Sequence, residues 1–125
     1  MLLEIDFESD IPIYEQLRRQ IIIGIAKGQL EKGEELPSVR QLAEDIGINL
    51  HTVNKTYNIL KNEGYLSIDR RKGAMIKDIL PKAQEEYMKF LKEELSYIIA
   101  DSKNRSIEKE EFIKICEDLF DEMKS

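Results

Sequence analysis

The sequence predicts a mainly α fold carrying one small β hairpin, or wing, and three observations predict it. Apolar residues recur every three to four positions through most of the 125 residues. Glycines close several of those stripes, where a helix stops most easily. One pair of short alternating segments flanks a basic turn, the signal of a hairpin.

Taken in order, the first helix is expected after Asp10, an N-cap residue type, with Pro12 in the first turn and Glu15 near the positive end of the dipole. Ile13, Leu17, Ile21 and Ile25 form its stripe, and Gly28 ends it behind Lys27. Residues 32–37 read as a loop. Ser38 and Gln41 have capping-box spacing, so a second helix begins at Ser38, burying Val39, Leu42, Ala43 and Ile46 before Gly47 stops it. Asn49 caps a third helix, which turns Val53, Tyr57 and Leu60 inward and ends near Gly64. Tyr65 to Ile68 alternate as a strand, Asp69 to Gly73 make a charged turn, and Ala74 to Lys77 form the return strand.

Beyond Pro81 the pattern changes. Ala83, Tyr87, Phe90, Leu91, Leu95 and Ile98 give a second apolar stripe on a helix of about five turns. Asp101 to Arg105 read as a polar break, and Ser106 to Glu110 as the cap of a last helix carrying Phe112, Ile115, Leu119 and Met123. These segments are too small to build their own core, so the tail is expected to pair with a second copy through Tyr87, Phe90, Leu91, Leu95, Ile98, Phe112, Ile115 and Leu119. The division is residues 1–79 for the winged domain and 80–125 for the dimerisation tail.

Composition narrows the function. The net charge is −6, yet residues 36–77 hold seven Lys/Arg against four Asp/Glu, while both flanks are acidic. A local basic surface is what phosphate contacts require, because counterion release depends on nearby cations rather than on the overall charge. No stretch approaches the ~18–20 apolar residues of a membrane helix, and acids follow Leu2, Leu3 and Ile5 closely, so neither a membrane partner nor a secretory leader is expected. The single cysteine, Cys116, excludes an internal disulfide and a multi-cysteine zinc site, and beside Ile115 and Leu119 it reads as a packing residue. The expected location is cytoplasmic. The pairs Glu85-Glu86, Glu93-Glu94 and Glu110-Glu111 read as solvated helix faces, so no metal is expected. Gly24, Gly28 and Gly33 follow no strand and match no phosphate-binding loop, and the lone His51 has no partner for a catalytic constellation. Neither a cofactor nor an enzyme activity is expected.

The informative motif is Ala43, Gly47 and Val53. A helix-turn-helix needs a small residue where two helices cross, a positive-φ residue at the turn and an apolar residue on the second helix facing the first. These three supply all of them at the right spacing, and the hairpin that follows completes a winged helix-turn-helix.

The block Leu36-Pro-Ser-Val-Arg-Gln-Leu-Ala, with Thr52-Val53 and then Leu60-x3-Gly64-Tyr65-Leu66, closely resembles the DNA-binding domain of GntR-type regulators. Pro12-Ile-Tyr-Glu-Gln-Leu and the Gly28-x4-Gly33 spacing fit the same pattern, and the short tail resembles the YtrA-type branch. The resemblance implies that double-stranded DNA is the partner, with Ser38 and Arg40 contacting it at the start of the first motif helix. Asn49, His51 and Thr52 would open the recognition helix, whose N-terminal end enters the major groove in such proteins. His51, Asn54, Lys55 and Asn58 share its outer face; Asn suits adenine, and Lys and Thr suit phosphate or guanine. Arg70, Arg71, Lys72 and Gly73 at the wing tip would enter a minor groove or clamp phosphates. Two positions depart from the family pattern: Arg71 stands where a first wing glycine is usual, and Leu50 where the branch has proline and other branches arginine.

The implied function is a homodimeric regulator on an inverted-repeat operator, with repression by promoter occlusion as the expected outcome. Two other readings stay open on the sequence. One is a winged-helix module that binds protein through its acidic flanks. The other is a sensor whose small-molecule effector sits between tails near Tyr87, Phe90 and Phe112.

Overall fold

A computed structural model describes residues 3–71 and 73–124. The order is α1 (Ile13–Ala26), α2 (Val39–Ile46), α3 (Leu50–Glu63), β1 (Leu66–Asp69), β2 (Gly73–Ile76), α4 (Glu85–Asn104) and α5 (Lys109–Glu122). Strands β1 and β2 pair antiparallel, with Leu66 opposite Ile76 and Asp69 opposite Gly73. Contacts divide the chain into two compact units, Met1–Pro81 and Lys82–Ser125.

In the first unit α3 is the central element, packed by α1 on one side, α2 on another and β1 at its end. Its Val53, Tyr57 and Leu60 are all but sealed from solvent and meet Leu17 and Ile21 of α1, Leu42 and Ala43 of α2, and Leu66 and Ile76 of the wing. Each of the buried Val, Leu and Ile side chains contributes roughly 1.5–3 kcal/mol by leaving water. Ile25, Val39 and Ile46, expected inside, are only half-buried at the margin of this core.

Three helices, α1, α3 and α4, end in the same Schellman geometry, in which the two amides after the helix return to carbonyls of its last turn. After α3, Gly64 N–H donates to Lys61 O and Tyr65 N–H to Leu60 O. After α4 the left-handed place is held not by glycine but by Ser106, at φ +67, with Ser106 N–H on Lys103 O and Ile107 N–H on Ser102 O.

Several expectations need correction. Helix α1 starts two residues later than an Asp10 cap implies: Pro12 is its N-cap, with no side-chain cap bond. Its missing N–H costs nothing there, while its carbonyl accepts from Glu15 and Gln16. Residues 33–36 are not simply a loop. Gly33 N–H donates to Ile76 O, Ile76 N–H to Glu34 O and Leu36 N–H to Ala74 O, so this loop is tied to β2 through an isolated bridge of Glu35 with Met75. The polar break at Asp101 to Arg105 does not occur, since α4 continues to Asn104 and turns only at Ser106. The N-cap position of α5 is Glu108, not Ser106, and it makes no side-chain cap bond.

In the second unit no residue of α4 or α5 is buried, and the two helices do not pack along each other as the helices of the first unit do. Cys116, expected in a packed position, is half-buried. Among the described residues no helix is long and apolar enough to cross a membrane.

Candidate nucleic-acid interface

The interface rests on the geometry between α2 and α3. Ala43 is 6% exposed and Val53 is fully buried, so the helices cross closely where the side chain is smallest. Gly47 holds φ +69 at the turn, and Ile48 N–H closes onto Ala43 O. A side chain there would strain the backbone, because left-handed φ pushes Cβ toward the next carbonyl.

Both helix starts are capped by predicted site residues. Ser38 Oγ accepts from Gln41 N–H at 3.1 Å, which leaves its own O–H to donate outward. The reciprocal half of the capping box is not made, and Gln41 Nε2 donates to Asp45 Oδ1. Asn49 Oδ1 accepts from His51 N–H at 2.7 Å, so its amide nitrogen is what remains for a ligand.

On α3, His51, Asn54, Lys55 and Asn58 lie together on the exposed face and Thr52 is half-buried at its edge. The opposite face carries the buried Val53, Thr56, Tyr57 and Leu60. The start of α2 is fixed to this helix by Tyr57, whose hydroxyl donates to Pro37 O at 2.8 Å, one residue before the Ser38 cap. Burial raises that hydroxyl's pKa above its ordinary value. Thr56, also fully buried, donates to Tyr14 O at 2.9 Å, fixing the first turn of α1. Arg18 reaches from α1 to grip Glu63 with two nitrogens, and this pairing raises the guanidinium pKa despite the opposing cost of burial.

At the wing, Arg70 and Arg71 are exposed, and Arg71 N–H is held by Asp69 Oδ1 at 2.7 Å. Arg71 keeps an ordinary negative φ where the family pattern has glycine, and among the described residues of the turn the left-handed step falls on Gly73, at φ +76. Lys72 lies outside the described residues.

The arginines divide cleanly. Arg18, Arg19 and Arg105 are each paired with acids of their own chain, Glu15, Glu63 and Asp101. Arg40, Arg70 and Arg71 are exposed, and among the described residues no carboxylate lies within ion-pairing reach of them. Their cations are available to an external anion. Lys55 is different: its ammonium sits 3.9 Å above the centre of the Tyr14 ring. Sequence reasoning missed Tyr14, although it stands inside the quoted Pro12-Ile-Tyr motif, and it missed the outward bonds of Thr56 and Tyr57.

The sequence model of the bacterial regulatory proteins of the gntR family matches residues 13–76. The HTH-type transcriptional repressor YtrA of Bacillus subtilis (strain 168) is 36% identical over 110 residues, spanning 87% of this chain and 85% of that protein. The crystal structure of a transcriptional antiterminator from Listeria monocytogenes EGD-e superposes with a TM-score of 0.86 at 28% identity, covering 96% of this chain and 93% of that one. YtrA from Sulfolobus acidocaldarius, a GntR-family transcription factor, superposes with a TM-score of 0.66 at 37% identity, covering 80% and 99%.

Proposed function

The chain belongs to the GntR family of bacterial regulatory proteins, and from that premise we propose that it is a cytoplasmic repressor whose homodimer reads an inverted-repeat operator. The family consists of transcription regulators, not enzymes. Residues 1–79 carry the DNA, and residues 80–125 join the copies.

The observation that carries this reading is the division of the arginines. Arginines elsewhere are neutralised within the chain, whereas those at the α2 start and the wing tip are left open to phosphate. Ser38 and Arg40 contact the backbone beside α3, His51, Asn54 and Asn58 face base edges, and Arg70, Arg71 and Lys72 contact the flanking groove. Tail pairing is supported by exposure: Tyr87 is 52%, Phe90 55% and Leu119 49% exposed. At 100° per residue the apolar positions of α4, from Tyr97 and Phe90 round through Tyr87, Ile98, Leu91 and Leu95 to Ile99, span about 200° of its circumference. One neighbour covers about half that arc, so α4 fits two neighbours, as in a four-helix arrangement of two tails. A two-fold dimer requires half-sites about one helical turn apart, or a small multiple. A dimer seated on a promoter excludes polymerase, and the similar Bacillus subtilis protein YtrA is named a repressor.

Two variants test the parts separately. Arg70→Ala/Arg71→Ala/Lys72→Ala is expected to lower affinity for all duplexes at least tenfold while sedimenting as a dimer. Leu95→Asp is expected to sediment as a monomer and to lose cooperative binding to the full repeat. Unchanged duplex affinity in the wing variant would overturn the DNA assignment, and an unchanged dimer in Leu95→Asp would overturn the tail assignment.

A further inference from the structure

The pairing of Lys55 with Tyr14 assigns each residue a distinct task. Lys55 lies on the exposed face of α3 among residues that face bases, yet its ammonium is held 3.9 Å above the Tyr14 ring at the start of α1. A cation over an aromatic face is attracted by the ring quadrupole. The ring covers one side of the ammonium only, so N–H donors on the other side stay open. The backbone that carries the ring is fixed, because Thr56, one residue after Lys55 and fully buried, donates to the Tyr14 carbonyl at 2.9 Å. The two adjacent residues of α3 therefore hold Tyr14 by backbone and by ring at once.

A lysine tethered toward α1 is directed along the flank of the recognition helix. His51, Asn54 and Asn58 carry no such tether to α1 and remain free to face the groove. We infer that Lys55 is a phosphate clamp rather than a base reader, and that Tyr14 is its positioning residue. The inference rests on the DNA-binding reading above and deepens it. Tyr14 raises affinity by removing rotamer freedom that Lys55 would otherwise lose on binding, and it contributes equally on every sequence.

The test uses the full chain and two duplexes, the selected operator and a random sequence, titrated across a salt series. Lys55→Gln should weaken binding to both duplexes by the same factor and make the slope of log K against log salt shallower by about 0.9 for each copy bound. Tyr14→Leu should weaken both by three- to tenfold, Tyr14→Phe should bind as the parent, and Tyr14→Leu/Lys55→Gln should be no weaker than Lys55→Gln alone. Melting curves accompany each variant. If the two losses add in the double variant, Tyr14 acts only through folding and the proposal fails. It fails equally if Lys55→Gln changes the operator-to-random ratio, since Lys55 then reads a base. If the parent chain shows no salt-dependent binding to either duplex, the DNA reading itself falls and takes this inference with it.

Discussion

Removing the Tyr57 hydroxyl should destabilise the winged domain by an amount that depends on pH. The side chain is 1% exposed and its hydroxyl donates to Pro37 O at 2.8 Å. Tyr57→Phe deletes that bond and leaves the carbonyl short of a partner, which together cost about 1–2 kcal/mol. For a unit of this size the melting temperature should fall by roughly 4–8 °C per kcal/mol. Burial holds the folded pKa above the ordinary 10.0. Both states are neutral well below that value, so the contribution is whole there. As pH rises past 10.0 the unfolded chain ionises while the folded one does not, and stability is lost. At one unit above, the loss is on the order of 1.4 kcal/mol. Contributions common to parent and variant cancel in the difference. Urea unfolding followed by circular dichroism should therefore show the parent ahead by about 1–2 kcal/mol at pH 8, with most of that gap closed at pH 11. A gap that is absent at pH 8, or that stays constant with pH, would refute the reasoning.

Three further outcomes follow from the same geometry. Ser106→Gly should stabilise the end of α4 by about 0.5–1 kcal/mol, because glycine holds φ +67 without a Cβ penalty, and the gain would appear as slower hydrogen exchange in the last turn of α4. Glu63→Gln should cost about 0.5–1 kcal/mol by breaking the two-nitrogen grip of Arg18, and most of that difference should vanish in 1 M salt, as an exposed pair requires. Asn54→Ala should lower the preference for operator over random duplex by about 1–3 kcal/mol with little change in salt slope; an unchanged preference would mean that another residue reads that base.

The helix-turn-helix was readable because its determinants are local. Ala43, Gly47 and Val53 lie within eleven residues, and each acts through size, φ or polarity alone. The wing was readable from alternation around a charged turn. The bridge from the 33–36 loop to the wing was not, since it depends on pairing with β2 some forty residues onward and its own sequence is charged and glycine-containing. Asp10 resembled a cap because capping residues look alike in sequence, whereas Pro12 already presets the backbone that α1 needs. Ser106 misled in the same way: a serine usually caps the next helix, and here it occupies the left-handed position that closes the previous one. Within the interface, the outer face of α3 followed from helical period, but the hold of Tyr14 on Lys55 spans two helices and left no periodic trace.

Selection of binding sites from random duplex DNA, sequenced and repeated at two salt concentrations, tests the central claim most directly. The account predicts enrichment of an inverted repeat with half-sites about one helical turn apart, or a small multiple, and an affinity that falls as salt rises. No enrichment by a folded chain would contradict it, and enrichment of a lone half-site would contradict the homodimer.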